Sequence, residues 1–408
     1  MGIRWNVGYR FQAGSINASR AVYALNWFNI APGLTYISHD LKLQLVQLGV
    51  ITTAFYIGLS TFQMVGGLLA SRIGNRFTSV LGISILGASV ILTGMSQNLF
   101  ELFTFRLFAG IGSALFFSPA LGLLADIVPR DRYSFYVGLF NGSFNLGGGM
   151  GIIGWNFLDQ IFGWRPPLFF AGAVMLFLAA ENLYALRAYK PDPENRVNIF
   201  RRAGDVLRTP IIWLLPIIAL AGILTETVIG QLFVYYAETH LHLAANYAST
   251  LGTIYLMIGF LGGALGGYIF GVVRRRIILF LGSTVLLAVL TMMVAFVQQY
   301  YLLVALMAVL GILTVNSLSM LYTLVVERTP DRGMVSFSLS FVNFVQNIIG
   351  AFSPAVFTLI AYYRGFESSW IFLGALGLAC AAAGFYMRSE IVLLHKCNHH
   401  CQNCQEDR

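Results

Sequence analysis

The sequence predicts an all-α polytopic membrane protein, with 12 transmembrane helices in two pseudo-symmetric six-helix bundles. The composition, the placement of the basic residues and an internal repeat lead to that architecture. Of the 408 residues 57% are hydrophobic and only 10% charged, and the mean hydropathy is +0.74. A soluble chain carries about 25% charged residues, so this one lacks the polar surface needed to stay dispersed in water. A hydrocarbon core about 30 Å thick takes roughly 20 apolar residues per helix, which leaves room for about a dozen spans. The apolar stretches are continuous rather than alternating, which argues against an outer-membrane barrel. A soluble enzyme, a disulfide-stapled secreted domain and a disordered chain are excluded with it.

Taken in order, hydropathy places spans at 18–37, 44–69, 77–96, 102–125, 134–157, 167–186, 211–236, 247–271, 278–297, 300–324, 335–361 and 368–387. With the N-terminus inside, 21 of the 25 Lys and Arg residues fall in inner loops and tails, with Arg20 counted beside Arg4 and Arg10. Three (Lys42, Arg165, Arg364) fall in outer loops, and Arg106 lies within a span. Such a bias sets orientation, so a multi-pass protein of the cell membrane with both termini cytoplasmic is expected. The net charge of +8 then reports topology and not nucleic acid, for which no folded soluble module remains. The first 16 residues lack the apolar run and cleavage site of a signal peptide, so the first span is expected to act as its own insertion signal.

The longest polar stretch, Arg187–Arg208, carries charges of both signs with Pro191 and Pro193, which break helices. It divides the chain into residues 1–188, a cytoplasmic loop at 189–209, residues 210–388 and a tail at 389–408. The halves repeat at an offset of about 200. Gly67 and Arg76 answer to Gly267 and Arg276, Asp126-Ile-Val-Pro129 to Glu327-Arg-Thr-Pro330, and Trp164 to Trp370. Parallel repeats about an axis along the membrane normal are a plan of secondary transporters, with the substrate site at the repeat interface.

Three motifs add a resemblance. The loop after the second span reads Gly67-Leu-Leu-Ala-Ser71-Arg72-Ile-Gly74-Asn75-Arg76, similar to the signature G-x-x-x-D-[RK]-x-G-[RK]-[RK] of the major facilitator superfamily. Arg106-x-x-x-Gly110-x-Gly112 resembles the family's arginine-glycine motif, and Gly138, Gly147, Gly151 and Gly154 follow its glycine motif in the fifth span. The resemblance implies the family's two-bundle fold, a central cavity lined by spans one, four, seven and ten, and a monomer. It assigns gating to Gly67, Arg72, Gly74 and Arg76. Ser71 and Gly271 replace the signature acid, so the inner gate is expected to be latched differently. Ile152 stands where the glycine motif has proline, which leans the reading from export toward import.

Ionisable groups inside a span are costly and are functional candidates by default. Glu226 lies about 24 Å from the inner end of its span at 1.5 Å per residue, and Arg106 one or two turns from the outer end of its own. Glu226 is expected to bind a proton or a cationic substrate group, with Arg106 as counter-charge or anion site. Asn26 and Asn29, Asn141 and Asn145 one turn apart, Asn316, Asn343 and Gln346 should turn inward, because amides facing lipid go unsatisfied. Some of them hold helices together, and the others line a wet pocket for a small polar solute. Glycines crowd spans five and eight, where small residues let backbones approach.

The tail packs Cys397, His399, Cys401 and Cys404 together, a set suited to zinc or copper(I), although the spacing matches no standard finger. No nucleophile elbow, phosphate-cradling loop or metalloprotease helix occurs, so no catalysis and no cofactor are expected. The sequence thus predicts a secondary active transporter of a small solute working by alternating access and coupled to protons. The alternatives are a uniporter or exchanger, a drug efflux antiporter, and a non-transporting membrane sensor with a metal-binding tail.

Overall fold

A computed structural model describes residues 5–187, 204, 206–273, 275–329 and 335–384. The chain begins with α1 (Trp5–Trp27), breaks over Phe28–Gly33 and resumes as α2 (Leu34–Asp40). The break falls where Pro32 removes a backbone donor. The first span therefore differs from the expected 18–37, because the polar and aromatic residues ahead of it continue the same helix. Next come α3 (Leu45–Ile73), α4 (Asn75–Met95), α5 (Leu99–Ile127), α6 (Arg130–Phe162) and α7 (Arg165–Ala185). Local chemistry sets their ends. Gln44 and Gln47 form a reciprocal cap on α3, and the Asn98 side chain accepts the Glu101 amide at the start of α5. Gly74 turns between α3 and α4 at φ 91°, a left-handed conformation open to glycine.

The second half repeats this plan with α8 (Pro210–Ile218), α9 (Leu220–Thr239), α10 (Ala245–Val272), α11 (Arg276–Met293) and α12 (Tyr300–Arg328). It closes with α13 (Val335–Gly350), α14 (Ser353–Arg364) and α15 (Phe366–Gly384). The first, seventh and eleventh spans are thus each two helices, the last of them restarting at Pro354. Nine segments among the described residues are long and apolar enough to cross a membrane, and the expected first, fifth and eighth spans are helices of 23, 33 and 28 residues.

The repeat extends to individual contacts. Asn75 on α4 donates to Asp126 on α5 at 3.2 Å, and 201 positions on Arg276 and Glu327 form an ion pair, so Asn75 and not the expected Arg76 stands in the place of Arg276. A Cβ placed on Gly110 would sit 1.9 Å from the Phe55 carbonyl oxygen, and one on Gly311 would sit 2.1 Å from that of Tyr255. The same crossing is therefore built twice. The halves meet where α6 packs on α10, α3 on α13 and α14, and α2 on α9.

At the end of the molecule carrying Asp40, Arg165 ties three helix termini together. Its guanidinium donates to Asp40 at 2.9 and 3.2 Å and to the Gly94 and Ser96 carbonyls at 3.0 and 2.7 Å. The ion pair is half exposed and contributes little alone, whereas the carbonyls lose a charged donor. Arg165→Ala is expected to cost about 1–3 kcal/mol, seen as a lowered melting temperature in detergent. An unchanged melt would show that these bonds do not hold the end together.

Candidate functional site

The interior site begins on α1. Arg20, Tyr23 and Trp27 are spaced i, i+3 and i+7 and so share one face. Arg20 is 6% exposed, and its guanidinium carbon lies 4.4 to 4.9 Å from the ring centres of Tyr23, Phe117, Phe140 and Phe144. These rings come from α1, α5 and α6. The charge map counted this arginine as cytoplasmic, and the structure corrects that. With α1 helical from Trp5, Arg20 stands about 22 Å along the helix. The signal available in the sequence was the aromatic pair one and two turns further on, which places the arginine on an inward face.

Across the interface α9 carries Glu226, which is half-buried. Its carboxylate is close enough to interact electrostatically with Arg20 and with the Tyr56, Tyr255 and Tyr322 hydroxyls. Arg20 and Glu226 do not touch: no ion pair joins them among the described residues, and Arg20 Nε and Nη1 have no hydrogen-bond partner. The tyrosines are held in place by their neighbours. Trp27 Nε1 donates to the Tyr56 hydroxyl at 3.1 Å, Tyr255 donates to Thr314 at 3.1 Å, and Tyr322 to Asn343 at 2.5 Å. Thr227 and Gln231 sit beside Tyr56, and Gln231 Nε2 donates across the interface to the Trp27 carbonyl at 3.1 Å.

The expected pairing of Arg106 with Glu226 is not what the structure shows. Arg106 is fully buried, donates to Asn29 at 3.1 Å and lies 4.6 Å over the Phe55 ring, leaving Nε and Nη2 unpartnered. It is about 10 Å into α5 from the Asp40 end, against about 20 Å for Glu226 in α9. That difference in depth separates them, and the cation facing Glu226 is Arg20.

The amides divide between those bonded within the protein and those given no such partner by the fold. Asn26 donates to the Val22 carbonyl at 2.9 Å and Asn29 to Asn26 at 3.4 Å. Gln346 donates to the Ala219 carbonyl at 3.4 Å, and Asn343 serves Tyr322. Asn316 Oδ1 has no partner, Asn145 is half-buried and Asn141 is exposed. In the signature loop Arg76 donates to the Leu183 carbonyl at 2.6 Å, Arg72 is exposed, and a Cβ on Gly67 would meet nothing within 4 Å. Cys397, His399, Cys401 and Cys404 lie outside the described residues.

The seam between the halves is sealed at the Asp40 end. Thr35 donates to Glu238, Asn156 and Gln160 donate to Asn246 at 2.9 and 2.8 Å, and the Ala355 amide donates to Thr53 at 3.2 Å. Deeper in, Thr253 donates to the Gly149 carbonyl at 3.1 Å and Asn347 to Gln63 at 3.3 Å. These hydrogen bonds between the halves run from that end down to the level of Gln63.

Two bundles, a duplicated crossing and a polar centre between them agree with the family profile described as Major Facilitator Superfamily, which matches residues 16–272 and 217–394. The chain belongs to the major facilitator superfamily. This superfamily member is similar to an uncharacterized MFS-type transporter of Methanocaldococcus jannaschii, with 28% identity over 37% of the chain. It is also similar to the multidrug efflux protein YfmO of Bacillus subtilis (26% over 42% of the chain) and to the quinolone resistance protein NorA of Staphylococcus aureus (24% over 59%). The chain spans 39%, 42% and 60% of the length of these three relatives. Among solved structures, a bacterial homolog of the human lysosomal transporter Spinster, inward-facing and occupied, matches at TM-score 0.78 with 14% identity, over 92% of this chain and 96% of that one. The D-xylose-proton symporter matches at TM-score 0.72 with 16% identity, over 92% and 97%. These likenesses show the twelve-helix fold.

Proposed function

We propose that this transporter is a proton-coupled secondary carrier of a small solute, with Glu226 as the proton site. Residues 1–188 and 210–388 move as two units joined by the loop at 189–209, and the site between them is reached from each side in turn. The Asp40 end is read as extracellular from the charge bias, and both termini as cytoplasmic. The observation that carries the proposal is a half-buried carboxylate at mid-depth, facing a cation held by the other half. A carboxyl whose counter-charge sits on the opposite unit changes surroundings whenever the units move. Its proton is thereby tied to the transport cycle.

The test is Glu226→Gln in proteoliposomes, with a solute chosen from a thermal-shift panel. Uptake driven by a pH gradient is expected to fall at least tenfold, while exchange of preloaded solute persists. Gradient-driven uptake at the wild-type rate removes the coupling role, and the protein is then a uniporter or exchanger. The partial matches to efflux proteins favour a second reading in which the same proton site drives export, distinguished by the direction of gradient-driven movement in inside-out vesicles.

A further inference from the structure

We infer that Arg20 is an anion-binding residue, and that the solute carried is a monovalent carboxylate with an apolar or aromatic body. The inference rests on the transport reading above and names the substrate class of that same site. Three independent features lead to it.

The first is the state of the guanidinium. Ring faces surround Arg20 at 4.4 to 4.9 Å. They stabilise a cation through their quadrupoles, and the Tyr23 hydroxyl takes one of its hydrogen bonds. Nε and Nη1 are buried and unpartnered, and a buried charged donor without a partner is costly. The Glu226 carboxylate faces this group without touching it, so the donors are left for a ligand that brings its own oxygens. A carboxylate accepts two guanidinium N–H bonds in parallel.

The second feature is the charge of the membrane interior. Arg106 lies nearer the Asp40 end, so among the described residues the charged pair at this depth is Arg20 and Glu226, which cancel when Glu226 is ionised. Protonation of Glu226 leaves the charge of Arg20 for an anion to offset. Loading one carboxylate together with one proton on Glu226 leaves the net charge of the centre unchanged, so the loaded units can move without a new charge being buried in a low dielectric.

The third is the lining beside Arg20. Trp27 lies 5.3 Å from Phe144 and 5.8 Å from Tyr56 between ring centres. This wall suits an apolar body better than a polyhydroxylated one.

The test uses full-length purified protein and three matched ligand sets: benzoate, benzamide and benzylamine; 2-naphthoate with its amide and its methylamine; and hexanoate with its amide and amine. Binding is read from tryptophan fluorescence and from thermal stabilisation in detergent. At least one carboxylate is expected to bind tenfold or more tightly than its own amide and amine. Arg20→Gln is expected to weaken that binding at least tenfold and Arg20→Lys by less. Glu226→Gln keeps or tightens it, because a negative charge has been removed. If Arg20→Gln does not fold, Arg20→Lys and Glu226→Gln still give the comparison.

The inference is overturned if no carboxylate binds, if amides or amines bind as well in every set, or if binding ignores the Arg20 substitutions. An amine taken up on a proton gradient through Glu226 sinks this inference and leaves the transport reading standing. Carboxylate binding that depends on Arg20, with no gradient-driven uptake of any ligand, does the reverse.

Discussion

Gly49→Val is expected to lower transport at least tenfold by holding the two halves apart at the Asp40 end. A Cβ at this position would sit 2.0 Å from Thr358 Oγ1, 2.6 Å from the Pro354 carbonyl oxygen and 3.0 Å from Ala355 Cα. The threonine can rotate away, but the two backbone atoms of α14 cannot. Gly49 lies inside α3 without a left-handed backbone, so its own helix accepts valine with no loss of helix propensity. The conflict falls on the seam and leaves each bundle intact. Thr53, 5% exposed and bonded to the Ala355 amide, reports the result. A cysteine at position 53, in a protein stripped of its native cysteines, should react with a polar thiol reagent at least tenfold faster when Gly49→Val is present. Equal labelling rates would mean that the seam closes over the new side chain.

Gly110→Leu should have the largest effect on folding. The Cβ would lie 1.9 Å from the Phe55 carbonyl oxygen and 2.8 Å from the Leu59 amide, and Gly58 meets the Leu107 carbonyl just as closely from the other side. These are two helices of one bundle in backbone contact, with no interface that can open to relieve the overlap. Overpacking of this kind costs ~1–3 kcal/mol in cores that adjust, and a rigid backbone crossing belongs at ~4 kcal/mol or beyond. The expected outcome is loss of monodisperse protein on size-exclusion chromatography. Gly67→Leu, at a position with open space around it, serves as the control and should purify normally. If Gly110→Leu purifies equally well, the crossing is not the constraint described above.

Much of this architecture is legible in the sequence because the bilayer imposes length and hydropathy on every span. The Asp126 and Glu327 correspondence survives as a contact, and the structure adds a Gly110 and Gly311 correspondence that the sequence comparison did not find, since a repeated backbone crossing demands the same small residue twice. The site was less legible, and for a physical reason. A charge count assigns each arginine by its distance from an apolar run, and Arg20 stands where that run begins. Only the helix that carries it, extended back to Trp5, shows that it lies within the bundle and that aromatic rings take the place of water around it. Arg106 is buried, but depth along separate helices keeps it from Glu226. Sequence spacing gives depth within one span and not the stagger between spans. Asn26 and Gln346 illustrate a further limit, since an inward amide that bonds a backbone carbonyl has the same sequence pattern as one awaiting a ligand.

The paired contact at the ends of α5 and α12 has one further consequence. In the first half a neutral amide meets a carboxylate, and in the second a guanidinium meets one, both partners there being partly exposed at 38% and 37%. Dissolved ions screen attraction between opposite charges far more than they weaken an amide bond. Raising ionic strength therefore weakens the Arg276–Glu327 attraction more than the Asn75–Asp126 bond, so the two copies of this contact respond unequally to the electrolyte bathing them.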